Sequence, residues 1–178
     1  MNIDKVKLKS LSFLLQYPDY SLVRDLEKCR SEIEAMFEGP EQDLVREMIR
    51  HLLQTPVLGL QETFSAAFDL NPATCLNLTY HRYGDAKERG AALARYAQAY
   101  EDAGFRPMQP ELPDYLPMLL ELLAQEEEAA LEWMLAENQH AITALAEGLA
   151  AGKNPYAGLF QVLSRMLPAA KTHADTEV

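Results

Sequence analysis

Apolar residues recur at steps of three and four along this chain, and most runs are cut by a proline or a glycine. That spacing puts them on one face of a helix and leaves no room for the alternation a half-buried strand needs. Leu8, Leu11, Leu14 and Leu15 form the first stripe, closed by Tyr17-Pro18 because the residue before proline avoids helical angles. Asp19 is placed to cap a second helix carrying Leu22, Val23, Leu26, Cys29, Ile33, Met36 and Phe37. Gly39-Pro40 ends it and opens a third, with Leu44, Val45, Met48, Ile49, Leu52 and Leu53. Thr55-Pro56 reads as cap and first turn of a fourth, with Leu60, Phe64, Ala67 and Phe68.

Asn71-Pro72 breaks the pattern, and a short segment from Thr74 to Tyr83 leads to Gly84-Asp85. From Ala86 the chain is helical again, with Leu93, Tyr96, Ala97 and Tyr100 on one face and Gly104 as the stop. Arg106 to Pro113 is a proline-containing loop and a candidate hinge. Asp114 then predicts the cap of a helix with Leu116, Leu119, Leu120 and Leu123. Glu126 to Ala151 reads as one long helix with Leu131, Leu135, Ile142, Leu145 and Leu149. Asn154-Pro155 opens the last, with Leu159, Val162, Leu163 and Met166. The expectation is an all-α, single-domain bundle of about eight or nine helices over residues 1–168, followed by a small, polar, disordered tail at 169–178.

A chain of 178 residues buries enough surface to fold without a disulfide or metal. Cys29 and Cys75 form no Cys-x-x-Cys pair and are expected as reduced, mostly buried thiols. No signal-peptide core follows Met1, and no apolar run approaches the roughly 20 residues of a membrane helix. Cytoplasmic residence without stable membrane insertion is therefore expected.

Net charge is −11, which argues against nucleic acid as a partner. Between Arg106 and Lys153 there is no Lys or Arg, while Glu111, Asp114, Glu121, Glu126, Glu127, Glu128, Glu132, Glu137 and Glu147 all lie there. A solvated, solubilising face is one reading of that stretch, and a docking face for a basic partner is the other.

Catalytic chemistry finds little material. A di-iron bundle needs a Glu-x-x-His pair on each of two helices, and Glu137-x-x-His140 is the only such pair. No His-Glu-x-x-His, phosphate loop, dinucleotide fingerprint or nucleophile elbow is present. No enzyme activity, metal or cofactor of its own is expected. What stands out instead is Tyr80-His81-Arg82-Tyr83-Gly84-Asp85, with Arg89 shortly after it, and then Glu111-Leu112-Pro113-Asp114-Tyr115-Leu116-Pro117, where a loop enters a helix.

These two segments, with Leu14-Leu15-Gln16-Tyr17-Pro18-Asp19 before them and Tyr100-x-x-Ala-Gly-Phe105 between them, resemble the nitrate reductase molybdenum cofactor assembly chaperones. That is the NarJ or delta-subunit family, within the wider group of TorD- and DmsD-like maturation chaperones. The resemblance spans nearly the whole chain and is weakest from about Glu32 to Pro72 and in the tail. It implies an all-helical cytoplasmic chaperone. Such a chaperone binds the N-terminal segment of the nitrate reductase catalytic (alpha) subunit until molybdenum cofactor and iron-sulfur cluster are inserted. Molybdenum cofactor biosynthesis proteins are further partners to consider. The wider group often carries an Asp-His pair in its interhelical loop; here the matching positions are Asp114 and Tyr115. A chaperone for another molybdenum oxidoreductase and a permanent helical reductase subunit are the alternatives.

Such a partner segment would be basic and amphipathic and would dock as a helix in a groove. Tyr80, His81, Arg82, Tyr83, Asp85, Arg89, Glu111, Pro113, Asp114 and Tyr115 are expected around that groove. Glu121, Glu126, Glu127 and Glu128 are expected as an acidic docking rim. Affinity should come from buried apolar anchors, at about 1.5–3 kcal/mol each, and the acidic groups should speed encounter.

Overall fold

Aspartate caps open the first two helices. The computed structural model describes residues 4–106, 110–125 and 132–167. Helix α1 (Lys5–Leu14) is opened by the Asp4 carboxylate, which accepts from the Val6 and Lys7 amides, each at 3.1 Å. Helix α2 (Tyr20–Ala35) is opened by Asp19, which accepts from Leu22 N at 2.7 Å. Helix α3 (Gly39–Gln54) starts with Gly39 at φ 54° and Pro40 in the first turn, as the sequence implies.

Thr55 departs from expectation. It closes α3, with its hydroxyl 3.3 Å from His51 Nδ1, rather than capping the next helix. Helix α4 (Val57–Phe64) begins after Pro56 without a side-chain cap and widens into a π turn over Ser65–Asp69. A 3₁₀ turn (Pro72–Thr74) and the one-turn helix α5 (Tyr80–Tyr83) lead into α6 (Glu88–Asp102). Then come α7 (Leu116–Gln125), α8 (Trp133–Glu137), α9 (Gln139–Ala151) and α10 (Ala157–Met166). The described residues are thus all-α. The strand-like contact they record is an antiparallel bridge between Asn77 and Tyr115.

The expected long helix from Glu126 to Ala151 is interrupted at Asn138. Residues 126–131 of it lie outside the described residues, as does the tail from 168. Asn138 is buried, and its amide donates to the Met134 carbonyl at 2.7 Å and to the Tyr96 hydroxyl. A short polar side chain that bonds the backbone in this way competes with helix continuation.

Helix α7 is largely buried. Leu116, Pro117, Met118, Leu119, Leu120, Leu122 and Leu123 are all buried, the signature of a helix covered on every side. Helix α1 lies along it, and Ser12 Oγ donates to the Pro117 carbonyl at 2.7 Å. Helix α10 packs on α9 and on α3, and α2 packs on α3. The α3–α10 approach is close: a methyl on Gly158 would stand 3.3 Å from the Leu44 side chain. Phe64, Phe68, Tyr156 and Phe160 form a ring cluster with centroids 4.9–6.1 Å apart. Both cysteines are free but only half-buried, less enclosed than the sequence suggests.

Candidate functional site

The segment after the 3₁₀ turn and the segment before α7 are stitched together. Leu78 N donates to the Asp114 carbonyl at 3.1 Å, and Leu116 N donates to the Leu76 carbonyl at 2.9 Å. At the centre sits the Asp114 carboxylate, fully buried. It accepts from Asn77 Nδ2 at 2.9 Å, from Thr79 N at 3.1 Å and from Thr79 Oγ1 at 2.5 Å. Arg89 Nη2 of α6 approaches at 3.4 Å, while Arg89 Nε donates to Thr79 Oγ1 at 3.1 Å. The Arg89 guanidinium also lies over the Tyr80 ring, 5.3 Å from its centroid. Asp114 is therefore not the N-cap expected of it. It fastens the loop before α7 to the loop before α5 and to the first turn of α6.

Beside this knot, a groove of about 610 Å³ opens between the C-terminal end of α6 and the start of α7. Tyr100, Phe105, Pro113 and Met118 line it, together with the charged Glu101, Arg106 and Glu111. The end of α6 is shaped by Gly104 at φ 66°. Phe105 N reaches back to the Tyr100 carbonyl at 2.9 Å, and Gly104 N to the Glu101 carbonyl at 2.9 Å. This Schellman ending lays the Phe105 ring against Tyr100, centroids 5.5 Å apart. Tyr100 is 3 % exposed, and its hydroxyl has no hydrogen-bond partner among the described residues. Burial, with the nearby Tyr96, Asp114 and Glu121, pushes its phenol well above the ordinary value, so it stays protonated. Among the described residues, Glu101, Arg106 and Glu111 take part in no ion pair.

The sequence-predicted residues divide among three places. Tyr80, Arg89 and Asp114 meet in the buried knot. Glu111 and Pro113 line the groove, and Glu121, on α7, is half-buried near Tyr100. Arg82 and Tyr83 stack at 5.3 Å, and Arg82 Nη1 reaches Glu137 Oε1 of α8 at 3.2 Å. His81 is half-buried, with Nε2 2.8 Å from the Cys75 carbonyl, and Asp85 is exposed. Tyr115 is not among the residues that line the groove. Burial first, then Glu111 and Asp69, raises its phenol, and it in turn raises that of Tyr156, where burial is again the larger cause. Glu126, Glu127 and Glu128 lie outside the described residues.

Sequence reasoning missed Tyr100, Glu101, Phe105, Arg106 and Met118 as groove residues. The signal was the Tyr100-to-Phe105 helix ending, read as a stop and not as a wall. It also missed the clamp around Glu137. This residue accepts from Arg82 and Arg95, and Arg95 lies 3.8 Å above the Trp133 ring, which meets Tyr96 edge-on at 5.2 Å. Glu137 of the lone Glu-x-x-His is thus engaged with arginines. Among the described residues no group of three or more His, Cys, Asp or Glu could hold a metal ion, and no helix is long and apolar enough to cross a membrane.

The profile of the family described as nitrate reductase delta subunit matches residues 34–161. The chain is 32% identical to the probable nitrate reductase molybdenum cofactor assembly chaperone NarJ of Bacillus subtilis, over 89% of this chain and 86% of that protein. It is 30% identical to the nitrate reductase molybdenum cofactor assembly chaperone NarJ of Escherichia coli K12, over 97% of this chain and 72% of that protein. It is also 32% identical, over 82% of its length, to part of the nitrate reductase-like protein NarX of Mycobacterium tuberculosis, where the match occupies 22% of that longer chain.

Proposed function

The chain belongs to the nitrate reductase delta subunit family, and from that premise we propose that it is a non-enzymatic assembly chaperone. It holds the N-terminal segment of the apo catalytic (alpha) subunit of a nitrate reductase in the cytoplasm while molybdenum cofactor is inserted and the complex assembles, before membrane attachment. The observation that carries this reading is the groove between α6 and α7. It combines the apolar Phe105, Pro113 and Met118 with the charged Glu101, Arg106 and Glu111, and is built from a helix ending and a loop that the Asp114 knot holds in register. Such a groove suits the apolar face of an amphipathic segment, with its basic side toward Glu101 and Glu111.

The magnitudes divide the work. A buried apolar anchor contributes about 1.5–3 kcal/mol, whereas an exposed charge pair contributes about 0.2–1 kcal/mol. Apolar groups supply affinity and charged ones supply partner choice. Asp114, being fully buried, acts through what it positions rather than by touching the partner. Tyr80 and Arg89 share that role, and Arg82, through Glu137, ties α5 to α8.

Calorimetric titration with the N-terminal peptide of the catalytic subunit, beside a scrambled peptide of equal charge, tests this. Tight binding of the native order alone is expected. Equal binding of both would reduce the interaction to bulk charge. Binding of neither, with the protein retained in the purified reductase, would make it a permanent subunit instead.

A further inference from the structure

Helices α8 and α9 meet at Asn138, and the way their junction is finished reaches across to α6. Asn138 N donates to the Leu135 carbonyl at 3.1 Å, three residues back, rather than to Met134, four back, as an unbroken α-helix would have it. The Met134 carbonyl accepts instead from the Asn138 side-chain amide at 2.7 Å and from the Tyr96 hydroxyl of α6 at 3.5 Å. The same amide also donates to the Tyr96 hydroxyl, which closes a triangle of hydrogen bonds. Asn138 and Tyr96 are both buried, so water does not compete for these bonds. Burial pushes the Tyr96 phenol up to about 12, and its hydroxyl keeps the proton it donates.

Helix α6 lends the groove Ala97, Tyr100, Glu101 and Gly104. Spaced at i, i+3, i+4 and i+7, they lie on one stripe, so the aim of that stripe follows the rotation of α6 about its own axis. Tyr96 stands one turn before Tyr100 on the neighbouring position of the same face. The Asp114 knot holds α6 at its first turn, through Arg89. Burial of Tyr96, Ala99 and Tyr100 presses the helix onto the body, but apolar contact is non-directional. The ion pair of Arg95 with Glu137 has direction, yet the arginine side chain is 56% exposed and water screens it. The triangle is both directional and dry. We propose that Asn138 is a positioning residue for the groove. Through the Tyr96 hydroxyl it fixes the rotation of α6, and with it the placing of Tyr100 and Phe105, without touching the client. The proposal rests on the chaperone reading above and names what sets the shape of its recognition site.

The full chain is compared by NMR with Asn138→Ala, Tyr96→Phe and the double variant. Tyr96→Phe removes one oxygen atom and keeps the ring, so it decides the matter even if Asn138→Ala does not fold. Thr74→Val is the control, because it removes a buried hydrogen bond to the Ala67 carbonyl that lies outside the lining of the groove. All of these variants should melt earlier than wild type. The Phe105 ring and Met118 methyl signals are expected to shift in Tyr96→Phe and Asn138→Ala and to stay in place in Thr74→Val. Affinity for the N-terminal peptide of the catalytic subunit is expected to fall about tenfold in Tyr96→Phe and in Asn138→Ala, the scale on which residues act through others. The double variant should bind no more weakly than Asn138→Ala alone, because both substitutions break one path.

Phe105 and Met118 signals that stay in place in Tyr96→Phe, or that move equally in Thr74→Val, overturn the proposal. So do losses of affinity that add in the double variant. The wild-type titration separates this failure from failure of the chaperone reading. If wild type binds the peptide and the variants bind it equally well, the positioning role is refuted while capture of the segment stands. If wild type does not bind it and the Phe105 and Met118 signals still move in Tyr96→Phe and not in the control, the positioning of α6 stands and the client lies elsewhere.

Discussion

Replacing Asp114 with alanine tests the central structural claim, that one buried carboxylate holds the groove in register. The substitution strips the acceptor from Thr79 N at 3.1 Å, Thr79 Oγ1 at 2.5 Å and Asn77 Nδ2 at 2.9 Å. The Thr79 hydroxyl can turn to another acceptor, but its amide and the Asn77 side chain cannot follow easily. Arg89, 3.4 Å away and with its side chain 18% exposed, loses less because water reaches it. Hydrogen bonds to a charged group are worth about 1.5–3 kcal/mol each, and breaking a buried pair by removing one partner costs about 3–5 kcal/mol. The expected loss is therefore about 3–5 kcal/mol, from a total of about 5–15 kcal/mol for a domain. At about 2–4 °C per kcal/mol for this chain length, the melting temperature falls by about 6–20 °C.

Urea unfolding followed by circular dichroism at 222 nm reads this directly, with the slope of the transition unchanged. Asp114→Asn keeps one acceptor and should fall between the two. A cycle with Thr79→Val should show strong coupling, larger than one with Arg89→Ala. A loss under about 1 kcal/mol for Asp114→Ala would refute the reasoning, because no arrangement with those bonds intact can be that cheap to dismantle.

Two further outcomes depend on single residues. Gly104→Ala places a side chain at φ 66° in otherwise open space, so strain alone should cost about 1 kcal/mol, and peptide binding should weaken because Phe105 loses its seat on Tyr100; wild-type stability and affinity in this variant would show that the Schellman ending does not shape the groove. The His51 imidazole is held below its ordinary value of 6.5 by burial, with Nε2 unpartnered among the described residues. Its folded value lies below the unfolded one, so its contribution is complete above about pH 6.5 and is lost as pH falls from there toward the folded value. His51→Gln should flatten the dependence of melting temperature on pH in that window, and an unchanged slope would assign the acid sensitivity elsewhere.

Asp19 and Gly104 show what was legible from the sequence. A cap and a left-handed stop act on amides within a few residues, so local order specifies them. Asp114 shows what was not. Its partners Asn77, Thr79 and Arg89 lie 37, 35 and 25 residues away, and the same Asp before a helix is equally consistent with an ordinary cap. The break at Asn138 escaped for the same reason, since its amide reaches Tyr96 across 42 residues. The groove was half visible. Glu111 and Pro113 stand in a loop, where polar and rigid residues draw notice. Tyr100 and Phe105 look like core residues at the end of an apolar stripe. Only the tertiary fold reveals that one face of that stripe lines an opening.

The bridge from Asn77 to Tyr115 has a thermodynamic consequence. It closes the chain on itself, so that α5 and α6 lie within one excursion whose two ends meet at the bridge. Loop-closure entropy grows only with the logarithm of length, so the excursion is cheap to keep shut at its base whatever happens at its tip. Because α6 buries Tyr96, Ala99 and Tyr100 in the core, that excursion is fastened along its length as well as at its base.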